Sequence, residues 1–538
     1  MAEWKKGAGK ILALLRRFVV SEQSMIAETC LAALFFLLHI EVAGLVVFVY
    51  LIALKLVISE DSLCTFLPFL LIGLFVLRQY NSYDTFMALK FVMGVPAVFG
   101  VLFHFLFYRV KPEKGGLFRG YLALAIALAL GGMFSISLKD YLSGTSLYYT
   151  YGLGFGLFAL YTILLPRLNP NKAYDIRNYV AKTAFYCGVF CLYIIAVYYL
   201  GNLDLMKSGA NVVVQGSGAT ISLFANNLNS ISNNLSTTVL LTMPFVFYLA
   251  RQKGVMGGVY FAVGVLEGVA AVLTLSRGGM IFASGMCLFL AVYTLVRYKA
   301  PRARNLIVLG GIIVVLGTIA LIFRKDFKEL FSQGVVPSEL IMKLALCGVS
   351  LATALFSGYL FYLFTRKQKR TIYIHVSVLA ALALVCVAVA AWKWDTVREI
   401  AVRLDYYRGN MLAIAVENFK TFPIFGTGMG YQGLQGIYAH RKGMFGCYHC
   451  LPVQVVGSLG LVGVAAYLYM LRERIFVLRN AKDKEYAAVV LFSYLGLLYM
   501  SLVNPGIFCP VVYGLQLAVY FISAEKSEEN EMAVSAMN

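Results

Sequence analysis

Charged side chains are scarce in this sequence. Only 13% of its 538 residues are charged, whereas 60% are hydrophobic and the mean hydropathy is +0.78. A soluble domain of this length needs far more polar surface, so we predict that lipid surrounds most of the chain. The formal net charge of +20 does not indicate nucleic-acid binding, because the Lys and Arg residues form short clusters between apolar runs and no single basic face.

Clustered metal ligands are also missing. Seven of the ten cysteines lie in or beside apolar runs, where a thiol behaves as a small hydrophobic group. Only Cys447 and Cys450 share a polar loop, and the single histidine between them, His449, has no further clustered ligands. We therefore expect no zinc site, no other metal and no cofactor.

No cleavable signal opens the chain. Residues 1–21 are basic and amphipathic, with Ile11, Leu14, Leu15 and Phe18 at helical spacing. This pattern predicts a short helix on the inner surface of the membrane, in the cytoplasm or at the interface.

Apolar runs follow one another over the rest of the chain. They predict an all-α, polytopic integral membrane protein with about 14 to 16 transmembrane helices, since some runs are shorter than a straight crossing needs. The runs lie near 28–40, 43–58, 64–77, 86–108, 119–136, 146–165, 179–200, 235–250, 255–275, 279–297, 305–323, 341–364, 373–391, 450–472, 486–503 and 507–523.

Basic residues alternate between the connecting loops. With both termini in the cytoplasm, the basic clusters fall on the inner side, and the loops between them carry fewer basic residues. The inner clusters are Arg109/Lys111/Lys114, Arg167/Lys172/Arg177, Arg251/Lys253, Lys299/Arg302/Arg304, Arg366/Lys367/Lys369/Arg370 and Arg472/Arg474/Arg479/Lys482/Lys484. One predicted outer loop, 324–340, breaks the rule with Arg324, Lys325 and Lys328. The pattern predicts a multi-pass membrane protein with both termini in the cytoplasm.

The predicted organisation has five parts. Residues 1–21 form the interfacial segment and 25–391 the first group of transmembrane helices. Residues 392–449 form a long outer loop, 450–523 the last transmembrane helices and 524–538 a cytoplasmic tail. Long loops on a compact scaffold commonly carry function, so we expect the functional site in the loop 392–449, on the outer face.

Arg277 is the first candidate site residue. It lies in the turn Leu273–Gly279, between two apolar runs on the predicted outer side, where an arginine runs against the charge bias. We interpret Gly278 and Gly279 as leaving its guanidinium open to a ligand. The alternative is an arginine that extends to lipid phosphates.

Arg408 is the second candidate, with Arg403 as a weaker one. Met411, Leu412, Ala415, Val416 and Phe419 recur at helical spacing, which predicts an amphipathic helix beginning at Arg408. Helix N-termini and arginines both attract phosphate, and a guanidinium can bind it with two hydrogen bonds. The helix is expected to end at the glycine-rich run 422–431.

His449 is the third candidate, at the end of the long loop. Histidine is the side chain best suited to exchange a proton at neutral pH. The alternative is an ordinary interfacial residue. His440, beside Arg441 and Lys442 in the middle of the loop, is a secondary candidate.

The order of these motifs resembles the O-antigen ligase and polymerase superfamily. The similarity rests on an R-G-G turn, then R-x3-L-x10-P-x2-G-x-G, then H-x4-Q-x5-G-x2-G leading into an apolar run, within about residues 225–475. The matching residues are Arg277, Gly278 and Gly279; Arg408, Leu412, Pro423, Gly426 and Gly428; and His449, Gln454, Gly460 and Gly463. Asn234 also resembles the asparagine at a helix start in that family. Cys450 and Ser458 stand where the family usually has an asparagine and an acidic residue.

The resemblance implies a C-type glycosyltransferase-like membrane fold and a metal-independent transferase. Its donor would be a polyprenyl-diphosphate-linked glycan, and its acceptor a glycan or a lipid. Arg277 and Arg408 would neutralise the leaving diphosphate, and His449 would orient or deprotonate the acceptor hydroxyl.

Two other functions stay open from the sequence. A flippase or transporter of lipid-linked sugars would carry polar residues within its spans and show two similar halves, whereas the mid-span positions here are nearly all apolar. A non-catalytic assembly subunit is the third hypothesis, because Cys450 and Ser458 depart from the family pattern. The sequence does not distinguish a ligase from a polymerase.

Overall fold

The structure is a computed structural model of the whole chain. It describes residues 2–78, 82–109, 111–135, 148–201, 229–252, 254–274, 276–297, 338–365, 392–396, 399, 406–429, 448, 450–503 and 511–537. Within these ranges all regular structure is helical, and sixteen α-helices occur.

The helices are numbered in chain order. The first eight are α1 (Ala2–Val19), α2 (Glu22–Leu37), α3 (Glu41–Ile58), α4 (Phe66–Arg78), α5 (Ser82–Phe107), α6 (Phe118–Leu130), α7 (Gly156–Arg167) and α8 (Ile176–Gly201). The last eight are α9 (Asn229–Leu249), α10 (Val255–Leu273), α11 (Arg277–Arg297), α12 (Ser338–Thr365), α13 (Tyr406–Thr421), α14 (Leu451–Asn480), α15 (Lys484–Ser501) and α16 (Val511–Met537). A 3₁₀ turn, Ser62–Thr65, precedes α4, and a π-helical turn, Tyr148–Phe155, leads into α7.

Several of these helices are long and apolar enough to cross a membrane. Six in the described ranges meet both conditions by themselves, and α1 with α2 forms a further pair bent by 67°. The predicted class, an all-helical membrane protein, is therefore supported by the structure. The predicted runs 305–323 and 373–391 lie outside the described residues, so the predicted count of about 14 to 16 crossings stays a prediction.

Helix α9 forms the centre of the bundle. Residues 235–250 are buried without interruption, and the helix packs against α8, α10, α11 and α15. Helix α5 lies at the periphery and exposes Phe91, Val95, Phe99, Leu102 and Leu106 at helical spacing. A helix that is apolar all round is buried or faces lipid, and these two helices show both cases.

Polar contacts hold one end of the bundle. Arg177 donates to Asp483 at 2.8 Å, and Arg251 lies 3.5 Å from Glu485. Lys526 donates to the carbonyl oxygen of Leu168 at 2.8 Å. The described basic clusters that the sequence assigns to the inner side meet here, so we name this the basic end.

The opposite end carries the sequence motifs. Gly132 donates from its backbone to the carbonyl oxygen of Phe425 at 3.0 Å, and Ser276 donates to Asn233 at 2.6 Å. We name this the motif end. The separation of the two ends agrees with the predicted alternation of the loops, while the assignment of the motif end to the outer face stays a prediction.

The helix ends differ from the apolar runs in four places. Helix α6 ends at Leu130, because Gly131 and Gly132 turn the chain and Gly132 adopts φ +81°. The run 146–165 divides into the π-helical turn and α7. Helix α9 begins at Asn229, six residues before the predicted apolar run 235–250. Helix α16 continues to Met537, through the predicted tail.

Candidate functional site

The structure describes the predicted site residues unequally. Arg403, His440 and His449 lie outside the described residues. For Arg277 and Arg408 the backbone is described, and their side chains are not. Arg277 is the first residue of α11, and Arg408 lies in the first turn of α13. The position of Arg408 agrees with the predicted start of a helix, whereas Arg277, which was predicted to lie in a turn, is already the first residue of α11.

The turn that holds Arg277 is tightly packed. A Cβ atom on Gly278 would lie 2.5 Å from Cγ2 of Val503, and one on Gly279 would lie 2.2 Å from Oγ of Ser236. Both glycines are buried. Both glycines therefore allow α11 to pack closely against α9 and Val503, and the prediction that they leave the Arg277 guanidinium open to a ligand stays a prediction.

Asparagines at the start of α9 lie beside this turn. Ser276 donates to Oδ1 of Asn233 at 2.6 Å and accepts the backbone N–H of Gly279 at 3.2 Å. Tyr513 donates to the carbonyl oxygen of Asn234 at 2.8 Å. Asn233 and Asn234, in the second turn of α9, therefore connect this helix to the start of α11 and to α16 at the motif end.

The helix predicted to follow Arg408 is present as α13. Met411 and Ala415 are buried and form a small apolar cluster with Tyr448. Helix α13 packs along α14, whereas α11 packs along α9, α10, α12 and α15. The approach of Arg277 to Arg408 therefore stays a prediction.

The glycine-rich run after α13 docks onto a break in α14. At Gly460 the backbone of α14 leaves helical geometry, with φ +60° and ψ −153°. The residues around such a break lose their helical hydrogen-bond partners, and buried backbone groups need replacements.

The glycine-rich run supplies those replacements with its carbonyl groups and with its N–H groups. Its carbonyl groups accept the N–H groups that follow the break: Leu461 donates to Pro423 at 2.9 Å and Val462 to Ile424 at 3.1 Å. Its N–H groups reach the carbonyl oxygens that precede the break: Thr427 donates to Gly457 at 3.2 Å and Gly428 to Ser458 at 2.8 Å. The two motif segments identified in the sequence thus form one backbone hydrogen-bonded unit, which we call the motif dock.

The motif dock requires glycine at three positions. Gly426, Gly428 and Gly460 have φ of +63°, +84° and +60°, which L side chains rarely adopt. A Cβ atom on Gly426 would lie 2.3 Å from the carbonyl carbon of Ser458, and one on Gly460 would lie 2.6 Å from the carbonyl oxygens of Pro423 and Ile424. The spacing of these glycines in the sequence is therefore a requirement of backbone geometry.

Tyr448 fixes the chain directly before His449. It is buried, its backbone N–H donates to Oε1 of Gln454 at 2.8 Å, and its hydroxyl accepts Nδ2 of Asn418 at 2.6 Å. The other end of the Gln454 amide donates to Oγ of Ser458 at 2.7 Å. Burial raises the pKa of the Tyr448 phenol to about 12, and hydrogen bonds from Asn418 and Thr427 partly offset that rise.

Sequence analysis missed Asn418 and Tyr448. The available signal was the position of Asn418, a polar residue on the stripe of α13 that includes the buried Met411 and Ala415. A polar side chain on a buried stripe needs a partner, and that partner is the tyrosine next to the candidate histidine.

Chemically, the site offers a hydrogen-bonded framework on both sides of the candidate segment. The motif dock lies directly before the segment 430–447, and Tyr448 lies directly after it, while α13 packs against α14. Within the described ranges no group of three His, Cys, Asp or Glu side chains could hold a metal ion. Comparisons of the chain with protein-family models, with curated proteins and with solved structures found no match.

Proposed function

We propose that this protein is a membrane glycan transferase of the O-antigen ligase or polymerase type. It moves an oligosaccharide or polysaccharide from a polyprenyl diphosphate to a glycan or lipid acceptor, at the outer face of a bacterial cytoplasmic membrane. The observation that carries the proposal is the motif dock, because it joins the second and third motifs of the resemblance through four backbone hydrogen bonds.

The packing of the first motif adds support. Its turn, Arg277–Gly279, lies at the same end of the bundle as the motif dock, beside Asn233 and Val503. All three motifs therefore belong to one end, as a single site requires. The proposal also includes a C-type glycosyltransferase-like fold and about 14 to 16 crossings, two of them in ranges that the structure does not describe.

The reaction follows from the chemistry of the three side chains. The acceptor hydroxyl oxygen attacks the anomeric carbon, the bond from that carbon to the phosphate oxygen breaks, and the polyprenyl diphosphate leaves with the bonding electrons. Arg277 and Arg408 neutralise the charge that develops on the diphosphate. His449 takes the acceptor proton. The contacts of Tyr448 with Gln454 and Asn418 position the histidine that follows it.

A flippase of lipid-linked sugars is the second candidate, and buried charges favour it. Glu267 lies within α10, and one of its oxygens, Oε1, has no hydrogen-bond partner in the described structure. Glu28 and Lys55 form a buried ion pair between α2 and α3. Charged residues inside membrane helices commonly mark transport pathways, and broken helices such as α14 occur in transporters.

Replacement of His449 separates the two functions. A proton acceptor is needed for bond formation and not for movement of the donor across a membrane. We expect His449→Ala to reduce transfer by roughly a hundred- to ten-thousandfold while the purified protein still binds the polyprenyl-diphosphate glycan. His440→Ala is the matched control and should stay near full activity.

The assay measures glycan transferred from a polyprenyl-diphosphate donor to an acceptor by purified protein, with a chelator present. Full activity of His449→Ala would overturn the role of that residue. Absence of any product from the unmodified protein, together with donor translocation in liposomes, would establish the flippase instead. Inhibition by the chelator alone would contradict the metal-independent mechanism.

A further inference from the structure

One side-chain amide at the motif end is held in a fixed orientation. Ser276 lies directly before Arg277, and its hydroxyl oxygen accepts the backbone N–H of Gly279 at 3.2 Å. The proton of that hydroxyl is donated to Oδ1 of Asn233 at 2.6 Å. Because Oδ1 accepts this hydrogen bond, the NH2 group of the Asn233 amide is directed away from Ser276.

The NH2 group of Asn233 remains available for a ligand. A second hydrogen bond at this residue uses only its backbone, whose carbonyl oxygen accepts the hydroxyl of Thr237 at 2.7 Å. The side chain of Asn233 is partly exposed within the part of the chain that the structure describes. Since an amide NH2 group carries two protons that it can donate, Asn233 offers up to two hydrogen bonds at the motif end.

The surroundings of this amide favour an anionic acceptor. Ser276 directly precedes α11, so its hydrogen bond places Asn233 beside the N-terminus of a helix of 21 residues. The N-terminal end of a helix carries a partial positive charge. Arg277, the first residue of α11, adds a full positive charge. A phosphate oxygen gains from these charges as well as from the hydrogen bond, whereas a neutral sugar hydroxyl gains mainly from the hydrogen bond.

We propose that Asn233 is a donor-binding residue, whose NH2 group donates to the diphosphate of the polyprenyl-diphosphate donor beside Arg277. The inference rests on the proposed function and adds to it a residue of α9 that lies outside the three sequence motifs. Ser276 is a positioning residue for this contact, because its hydroxyl holds the amide oxygen and thereby orients the NH2 group.

Aspartate at position 233 separates ligand binding from helix packing. Asn233→Asp keeps an oxygen that accepts the Ser276 hydroxyl, but it replaces the two N–H donors with a negatively charged oxygen. Purified full-length protein in lipid nanodiscs is titrated with undecaprenyl diphosphate and with undecaprenol, which has the same chain without the diphosphate. We expect Asn233→Asp to weaken the binding of undecaprenyl diphosphate roughly ten- to a hundredfold and to leave the binding of undecaprenol unchanged.

Two further variants complete the test. Asn480→Asp makes the same substitution at an exposed residue of the basic end, and it should not change the binding of either lipid. Asn233→Ala removes the NH2 group without adding a charge, so it should weaken the binding of undecaprenyl diphosphate severalfold, and it replaces Asn233→Asp if that variant does not fold. Unchanged diphosphate binding in Asn233→Ala and in folded Asn233→Asp would overturn the inference, as would an equal loss of undecaprenol binding.

The same preparations separate this inference from the proposed function. Glycan transfer by the unmodified protein tests the transferase, whereas the lipid titration tests Asn233 without any transfer. Weaker diphosphate binding in Asn233→Asp, with no transfer by the unmodified protein, would support the binding site and overturn the transferase. Normal transfer by the unmodified protein, with unchanged diphosphate binding in Asn233→Asp, would overturn the role of Asn233 alone.

Discussion

Leu461 and Pro423 are joined by a backbone hydrogen bond of 2.9 Å, in which the N–H of Leu461 donates to the carbonyl oxygen of Pro423. Within an unbroken α14 that N–H would bind a carbonyl group one turn earlier in the same helix. The break at Gly460 frees it for residues 423 and 424, which lie within the predicted long loop 392–449. The motif dock therefore exchanges helical hydrogen bonds for bonds between two motifs.

The first prediction concerns the glycines of the motif dock. Gly426→Ala and Gly460→Ala should each lower the free energy of unfolding by at least about 2 kcal/mol, because alanine is strained at positive φ and its Cβ would collide with backbone atoms. Glycan transfer should fall with stability. Thermal unfolding in detergent measures the effect.

Gly94→Ala is the control for that experiment. Gly94 lies in α5, where a Cβ atom would meet nothing within 4 Å, and alanine favours a helix. We expect unchanged or slightly increased stability. Equal melting temperatures for all three variants would contradict the geometry of the motif dock.

The second prediction concerns the donor arginines. Arg277→Lys and Arg408→Lys keep the charge and lose the planar pair of donors, so each should reduce transfer on the order of a hundredfold, equivalent to ~3 kcal/mol, with normal membrane insertion. Arg297→Lys is the matched control, since Arg297 ends the helix that Arg277 begins. Near-normal transfer by Arg277→Lys or Arg408→Lys would show that the replaced arginine contacts lipid and does not bind the donor diphosphate.

The third prediction concerns alkaline pH. Because burial raises the pKa of Tyr448 to about 12 from its ordinary 10, the fold favours the neutral phenol. Its contribution to stability is complete below pH 10 and is lost as the pH rises from 10 to about 12, by about 3 kcal/mol. Tyr448→Phe lacks this loss, so the stability difference between the two proteins should shrink across that window.

Thermal unfolding from pH 8 to about pH 12 measures this difference. A stability difference between Tyr448→Phe and the unmodified protein that stays constant over this range would show that the phenol is not buried.

The fourth prediction concerns topology. Single cysteines in a Cys-free variant should react with an impermeant thiol reagent at Trp392, which opens the predicted outer loop, and at Phe134, in the turn after α6 at the motif end; both are 78% exposed. Cysteines at Asn171 and Arg472 should react only after the membrane is opened. Labelling of Arg472→Cys in intact cells would place the basic end outside and overturn the outer location of the site.

Several features of the fold could be predicted from local sequence. The basic amphipathic pattern of residues 1–21 predicted a helix, and α1 extends from Ala2 to Val19. The stripe through Met411 and Ala415 predicted α13, which begins two residues before the predicted Arg408. Both helices could be predicted because helical periodicity depends only on residues that are close together in the sequence.

Other features depend on contacts between distant residues. Gly278 and Gly279 were assigned to ligand access, and only their closeness to Val503 and Ser236 shows that they pack helices. Asn418 and Tyr448 were missed because their hydrogen bond joins α13 to the start of α14. Arg474 was counted in a cytoplasmic cluster, and no pattern in the sequence shows that it is buried against Tyr494 and Phe521.

The sequence by itself determined an all-helical membrane protein with its basic loops on one side, because apolar length and charge are summed along short stretches of chain. It also placed the motifs in order. The tertiary structure decided that α14 breaks at Gly460 and that residues 423–428 bind the break. The physical reason is that buried backbone groups must be paired, and here their partners come from residues 423–428, about 30 positions earlier in the chain.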